Sequence, residues 1–249
     1  MWGIIPAAGI GSRIQPLAFS KELLPVGSRI DDGVERPRAV SEYLVERMLL
    51  GGAKKLCFVI SAAKSDILEY YGGTIGGASI CYAVQPEPLG LCDSIFRALP
   101  FIGPDEFAVV GLADTVWFPS DGLRLLGADD LSFLCFPVAR PELFDAVVAD
   151  GEEVREIQVK QRNPSTHWIW GAFKVRGRTL AELYDLWILR DRRDPYLGTL
   201  VNAWIAEGGR ARAVKGGEAY VDVGTYGGYR DALKLLTEPR PEPPALERV

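Results

Sequence analysis

Short apolar runs set apart by glycine and proline give the first half of the chain its pattern. Trp2–Pro6 reads as a strand, and Lys55–Ile60, with Leu56, Phe58, Val59 and Ile60, as a buried one. Ser79–Val84 and Glu106–Gly111 have the same character. Between them apolar residues recur at helical spacing. Ala39–Leu50 follows Pro37, read as a first-turn proline, and stops at Gly51-Gly52. Lys64–Tyr71 ends at Gly72-Gly73, and Leu91–Leu99 is a third helix. Strands and helices alternating over short connections predict β-α-β units. The expected class is α/β: a Rossmann-like, mainly parallel (mixed) sheet flanked by helices on both faces.

From about residue 131 the pattern changes. Leu131–Val138, Val154–Val159 and Trp168–Val175 read as strands with fewer helices between them, which predicts an added mixed or antiparallel portion. Thr179–Leu189 and Tyr196–Glu207 read as helices, Ala211–Val214 and Ala219–Val223 as strands, and Tyr226–Leu236 as a last helix. The tail Glu238–Val249 holds four prolines and several charges, and is expected to be disordered or loosely draped.

The connection after the first strand carries the densest chemistry. In Ile4-Ile5-Pro6-Ala7-Ala8-Gly9-Ile10-Gly11-Ser12-Arg13 an apolar run meets a turn with two glycines and an arginine, and Lys21 opens the next apolar run, Leu23-Leu24-Pro25-Val26. Glycines let backbone N–H groups approach an anion, and Arg13 and Lys21 add full positive charge. A triphosphate is the natural guest; a plain glycine turn between elements is the alternative. The nucleoside triphosphate P-loop is excluded, because no Gly-Lys pair occurs in the chain. The dinucleotide fingerprint is excluded as well, because Ile14 stands where its third glycine belongs.

Composition narrows the class. A length of 249 residues suits one large or two small domains, and a net charge of −5 argues against a general nucleic-acid binder. An anion site must therefore be locally positive inside an acidic envelope. The chain enters a strand within two residues and has no apolar stretch of membrane-spanning length, so the expectation is a cytoplasmic protein with neither leader nor membrane partner. Cys57, Cys81, Cys92 and Cys135 form no C-x-x-C pair and are expected to be reduced. His167 is the only histidine, which excludes a multi-histidine zinc site.

Three further segments bear polar groups at strand ends. Gln85 precedes a proline-rich turn that ends at Gly90; its amide can pair with the edge of a uracil or thymine, or simply brace the loop. Asp114 follows the apolar run Val109-Val110-Gly111, and Asp222 lies in Val221-Asp222-Val223-Gly224-Thr225. An aspartate near a phosphate loop suits Mg²⁺, and equally suits a turn cap.

The run from Ile4 to Val26 resembles the N-terminal signature of the sugar nucleotidyltransferases, the nucleoside-diphosphate-sugar pyrophosphorylases. The resemblance extends over roughly residues 2–236. It implies a GT-A-like nucleotidyltransferase fold with a small added β-rich sugar-binding portion. Residues 1–236 would form one domain, nucleotide-binding to about 130 and sugar-phosphate-binding beyond it, with 237–249 as a proline-rich tail. It also implies the reaction: a sugar 1-phosphate attacks the α-phosphorus of a nucleoside triphosphate and pyrophosphate leaves. The favoured pair is dTTP or UTP with glucose 1-phosphate. On this likeness Ala8, Gly9, Gly11, Ser12, Gln85 and Gly90 bind the nucleotide, while Arg13 faces pyrophosphate and Lys21 the α-phosphate. Asp114 and Asp222 hold Mg²⁺, Lys160 grips the sugar phosphate, and Gly171 and Thr225 line the sugar with it. Three features depart from the family pattern. Asp145 stands where a glycine is usual, Val159 where a carboxylate is usual, and Ser28–Glu35 is a longer loop before Arg36-Pro37. Asp145 and Val159 keep open a cytidylyltransferase acting on a non-sugar phosphate such as phosphocholine, and a catalytically silent nucleotide-sugar-binding regulatory subunit is a separate alternative. The expected assembly is a monomer or small homo-oligomer.

Overall fold

A computed structural model describes residues 1–237; the expected proline-rich tail lies outside the described residues. The strands are β1 (Trp2–Pro6), β2 (Pro25–Asp31), β3 (Val34–Ala39), β4 (Lys55–Ile60), β5 (Thr74–Ile75), β6 (Ala78–Val84) and β7 (Phe107–Gly111). They continue as β8 (Thr115–Phe118), β9 (Leu131–Pro137), β10 (Asp145–Asp150), β11 (Glu153–Val159), β12 (Trp168–Arg176), β13 (Arg212–Val214) and β14 (Ala219–Asp222). The helices are α1 (Val40–Leu50), α2 (Ser65–Tyr71), α3 (Leu91–Phe96), α4 (Gly177–Leu189), α5 (Leu197–Ala206) and α6 (Tyr226–Thr237).

Ten strands form one sheet in the order β10-β11-β13-β9-β12-β7-β1-β4-β6-β5. Its faces follow from the two-residue period of a strand. Ile4, Cys57, Val59 and Val110 point to the side covered by α3, α4 and α5, where Phe96, Leu183, Trp187 and Leu200 pack. Ile5, Leu56, Phe58 and Val109 point the other way, against Leu44 and Met48 of α1 and Ile67 of α2. Helices on both faces are as expected, and the class is α/β.

The sheet is mixed rather than mainly parallel. Parallel pairing joins β6, β4, β1 and β7, and separately β13 and β9. β12 runs antiparallel to both β7 and β9, and β10, β11 and β13 continue in antiparallel fashion. The expected Ser28–Glu35 loop and the Pro37 helix start are both corrected. That stretch is the β2–β3 hairpin, turned by Asp32 and Gly33 at φ 49° and 77°. Asp-Gly suits such a turn because both residues tolerate positive φ. Pro37 lies in β3, in a separate two-stranded sheet where a missing N–H costs little, and α1 starts at Val40. The sequence pattern gave no expectation of β5, β8 or β10.

β8 follows β7 after only three residues and turns off the main sheet to pair with β14, setting Asp222 opposite Thr115. Trp117 of β8 and Tyr220 of β14 both pack on Phe136, each with ring centroids 5.3 Å apart. That small layer brings residue 222 beside residue 114. Among the described residues no helix is long and apolar enough to cross a membrane.

Candidate active site

The loop after β1 stands at the carboxyl ends of the parallel strands, where open α/β sheets gather ligands. Gly11 adopts φ 68°, and an added Cβ there would sit 2.5 Å from Lys21 Cδ. Glycine therefore permits the turn and also leaves space for the lysine stem. At Gly9 an added Cβ would meet nothing within 4 Å, so that side of the loop is open. Ala8 is buried beneath it and Ser12 is exposed.

Lys21 begins a single helical turn, Lys21–Leu23, and its ammonium donates to Asp114 Oδ2. Arg13 Nη2 donates to Asp222 Oδ2 at 3.3 Å, and Asp222 Oδ1 accepts from the Gly224 amide at 2.7 Å. The Val223 amide donates to the Asp114 carbonyl at 2.8 Å, tying the two aspartate segments together. Asp222, Arg13 and Asp114 meet on the open side of Gly224. A Cβ there would lie 2.8 Å from Asp222 Oδ1, 3.1 Å from Arg13 Nη2 and 3.3 Å from Asp114 Oδ2. Three charged side chains drawn from residues 13 to 222 thus border a space one methyl group would fill, and Lys21 joins them through Asp114 Oδ2.

Burial pushes the Asp114 carboxyl up, but the Lys21 ammonium, its hydrogen bond and Arg13 bring it below the ordinary aspartate value. Burial pulls Lys21 down, and Asp114, Glu22 and Asp222 more than restore it. Both groups are charged at neutral pH. Arg13 is largely exposed, so its ion pair contributes little and the guanidinium is free to turn toward a ligand. Among the described residues no group of three or more His, Cys, Asp or Glu side chains is placed to hold a metal. Two converging carboxylates suit Mg²⁺, which takes few protein ligands and completes its shell with phosphate and water.

The remaining candidates flank this centre. Gln85 is only 4% exposed, and its Nε2 donates to Gly90 O at 3.1 Å and Asp93 Oδ2 at 2.8 Å. Its carbonyl oxygen is the half of the amide that those contacts do not use. Gly90 adopts φ 94°, and an added Cβ would stand 3.2 Å from Pro195 O. Its backbone shape and the nearby Pro195 demand glycine there; open room for a base does not. Lys160, at φ 45° just past β11, donates from Nζ to Leu143 O at 2.7 Å. It connects to the centre through Phe144, whose ring meets Tyr220 edge-on at 5.7 Å. Burial, then Asp222, Asp114 and Asp145, push the Tyr220 hydroxyl well above the ordinary tyrosine value, so this ring lies between the two halves. Gly171 lets Tyr220 and Phe136 close on β12, since its Cβ would come within 2.6 Å of both rings. Thr225 Oγ1 accepts from the Gly228 amide at 3.1 Å and caps α6. Gly171 thus supports the Tyr220 and Phe136 packing, and Thr225 the start of α6.

Sequence reasoning missed the support beneath the loop. Lys64, 7% exposed, donates from Nζ to Ala7 O at 2.6 Å and to Glu22 Oε2 at 2.7 Å and Oε1 at 2.9 Å. Glu22 is 1% exposed and adjoins Lys21. The pair fixes both ends of the glycine loop. Glu22→Gln would leave the Lys64 ammonium buried against neutral partners, and should cost about 1–3 kcal/mol in a denaturant melt. A cavity of about 630 Å³ lies at the opposite end of the sheet. Its Arg176, Arg210 and Arg212 are paired with Asp130, Glu153 and Glu152, and none of the candidate site residues lines it.

A family model described as nucleotidyl transferase matches residues 2–238. Over 248 residues the chain is 26% identical to a glucose-1-phosphate thymidylyltransferase of Mycolicibacterium smegmatis, covering 95% of this chain and 82% of that one. It is 30% identical over 147 residues to a UTP–glucose-1-phosphate uridylyltransferase of Bacillus subtilis, covering 49% of this chain and 47% of that one. Among solved structures, a candidate glucose-1-phosphate thymidylyltransferase from Bacillus anthracis in complex with sucrose superposes with a TM-score of 0.80. It is 21% identical and covers 98% of each chain, a likeness of fold.

Proposed function

The chain belongs to the nucleotidyl transferase family, and on that premise we propose that it joins a nucleoside triphosphate to a sugar 1-phosphate, releasing pyrophosphate. The observation that carries this reading is the meeting of Arg13, Asp114 and Asp222 around Gly224, with Lys21 bonded to Asp114. A catalytically silent relative would be expected to lack at least one of these charges. The nucleotide-binding part is residues 1 to about 130, and the sugar-phosphate part about 131–236.

A phosphate oxygen of the sugar 1-phosphate attacks the α-phosphorus in line; the bond to the oxygen bridging α- and β-phosphorus breaks, and pyrophosphate carries that oxygen away. The attacking oxygen is already ionised at neutral pH, so no general base is needed, in keeping with a single histidine in the chain. The loop from Ala8 to Ser12 offers backbone N–H groups to the triphosphate. Lys21 neutralises the α-phosphate, Arg13 turns from Asp222 to the leaving pyrophosphate, and Lys160 leaves Leu143 O for the attacking phosphate. Asp114 and Asp222 would hold Mg²⁺, which when bound supplies positive charge against the phosphate oxygens.

We favour dTTP or UTP as donor and glucose 1-phosphate as acceptor. The 5-methyl group that separates the two bases is worth only about 1–3 kcal/mol in a pocket. The test is a pyrophosphate-release screen of the common nucleoside triphosphates against a panel of sugar 1-phosphates and phosphocholine. Turnover with a pyrimidine triphosphate and a hexose 1-phosphate is the expected result; turnover with phosphocholine alone would replace this reading. Gln85→Ala should raise the triphosphate KM about tenfold through loss of one buried hydrogen bond, and should relax base choice. An unchanged ratio of kcat/KM between UTP and CTP would remove Gln85 from the base pocket.

A further inference from the structure

A charge buried without full pairing needs a reason. Asp145, at the start of β10, is 8% exposed, and its Oδ1 has no hydrogen-bond partner. Two cations or donors stand near without satisfying it. Lys160 Nζ is 3.9 Å from Oδ1, beyond hydrogen-bond reach, and gives its proton to Leu143 O instead. The Trp170 indole and the Lys160 backbone amide both stand close enough to favour the charged carboxylate, yet Trp170 Nε1 makes no hydrogen bond of good geometry to it or to any other group. Directly opposite Asp145 in the ladder is Val159, which offers no polar side-chain atom. An acceptor and a donor therefore sit together unspent, next to the lysine assigned to the sugar phosphate and two contacts from the paired aspartates by way of Phe144 and Tyr220.

We propose that Asp145 and Trp170 select the acceptor sugar: one ring hydroxyl donates to Asp145 Oδ1 and accepts from Trp170 Nε1. This rests on the sugar 1-phosphate reading above. A hydroxyl is the group that can do both at once; a deoxy position can do neither, and an acylated amino group is too bulky for so closed a place. Lys160 Nζ stands 3.9 Å from the carboxylate while it donates to Leu143 O. Its movement to a phosphate uncovers Asp145, so phosphate capture and hydroxyl recognition are coupled through a single side chain.

The test compares wild type, Asp145→Asn and Asp145→Ser on one accepted sugar 1-phosphate and its monodeoxy analogues, with KM read separately for sugar phosphate and triphosphate. Asp145→Asn should raise the sugar-phosphate KM about tenfold to a hundredfold, the range for a hydrogen bond to a charged group, and leave the triphosphate KM alone. For one deoxy analogue, the one lacking the recognised hydroxyl, wild type and variant should be equal. The melting temperature is a second readout. Burial, only partly offset by Lys160, pushes the Asp145 carboxyl up, so the charged group costs stability above its unfolded value and asparagine should melt at the same temperature or higher. An unchanged sugar-phosphate KM, or a penalty equal for every deoxy analogue, overturns the assignment while the reaction stands. A wild type that turns over no sugar phosphate overturns the reaction and this assignment with it.

Discussion

Lys21→Met is expected to lower the rate of pyrophosphate release by about a hundredfold to a thousandfold, the usual loss when one preorganised charge is taken from a transition state. Methionine is the informative replacement because it keeps the stem that fills the space beside Gly11 and removes only the ammonium. Alanine would remove both and confuse a packing defect with an electrostatic one. The variant should also change the pH profile. In the wild type the Asp114 carboxyl lies below its ordinary value, so it stays ionised until the pH falls through that depressed value. Lys21 lies above its ordinary value and keeps its proton until the pH rises past it. The pair therefore contributes stability across the whole neutral range, lost only at the acid and alkaline ends. Without the ammonium, burial remains as the largest influence on Asp114 and pushes its carboxyl upward. Residual turnover of Lys21→Met should then fall off on the acid side at a higher pH than in the wild type. Rates measured from roughly pH 5 to 8 decide the matter: wild-type turnover would take Lys21 out of the reaction, and an acid limb that stays in place would take the Asp114 titration out of the pH profile.

What could be read from the sequence, and what could not, follows from how local each cause is. The glycine loop was legible because Gly9, Gly11, Arg13 and Lys21 lie within one stretch and impose their chemistry there. Asp114 and Asp222 were legible as residues at strand ends, but their meeting depends on β8 leaving the main sheet to pair with β14. β8 is short and follows β7 so closely that no period marks it as separate. The Lys64–Glu22 pair spans 42 residues, and nothing beside Lys64 distinguishes a buried lysine from one in solvent. β10 begins and ends in aspartate, so its apolar run is too brief to announce a strand. Strand direction is hardest of all: β12 has an apolar pattern like that of β4, yet runs antiparallel to its neighbours because of where the chain re-enters the sheet. The hairpin is different, since its Asp32-Gly33 turn was written in the sequence and passed over in favour of Pro37.

Gly224→Ala should reduce turnover about a hundredfold, the scale on which a misplacement of about 1 Å acts on a positioned reaction. The change adds a methyl group 2.8 Å from Asp222 Oδ1, closer than such atoms can stand, so the carboxylate must give way. It cannot move freely, because Oδ1 is held by the Gly224 amide at 2.7 Å and Oδ2 by Arg13 at 3.3 Å. The same methyl group lies 3.3 Å from Asp114 Oδ2, on the side where the two carboxylates converge. The loss should therefore take a particular form. The Mg²⁺ concentration for half-maximal rate rises, the KM for sugar phosphate changes little, and far-UV circular dichroism and melting temperature stay near wild type. A loss of that kind would separate damage to the metal site from damage to the fold, since Gly224, though buried, lies two residues past β14 and outside the hydrophobic clusters. If Gly224→Ala instead turns over normally at ordinary Mg²⁺, the space between Asp114 and Asp222 is not where the metal acts.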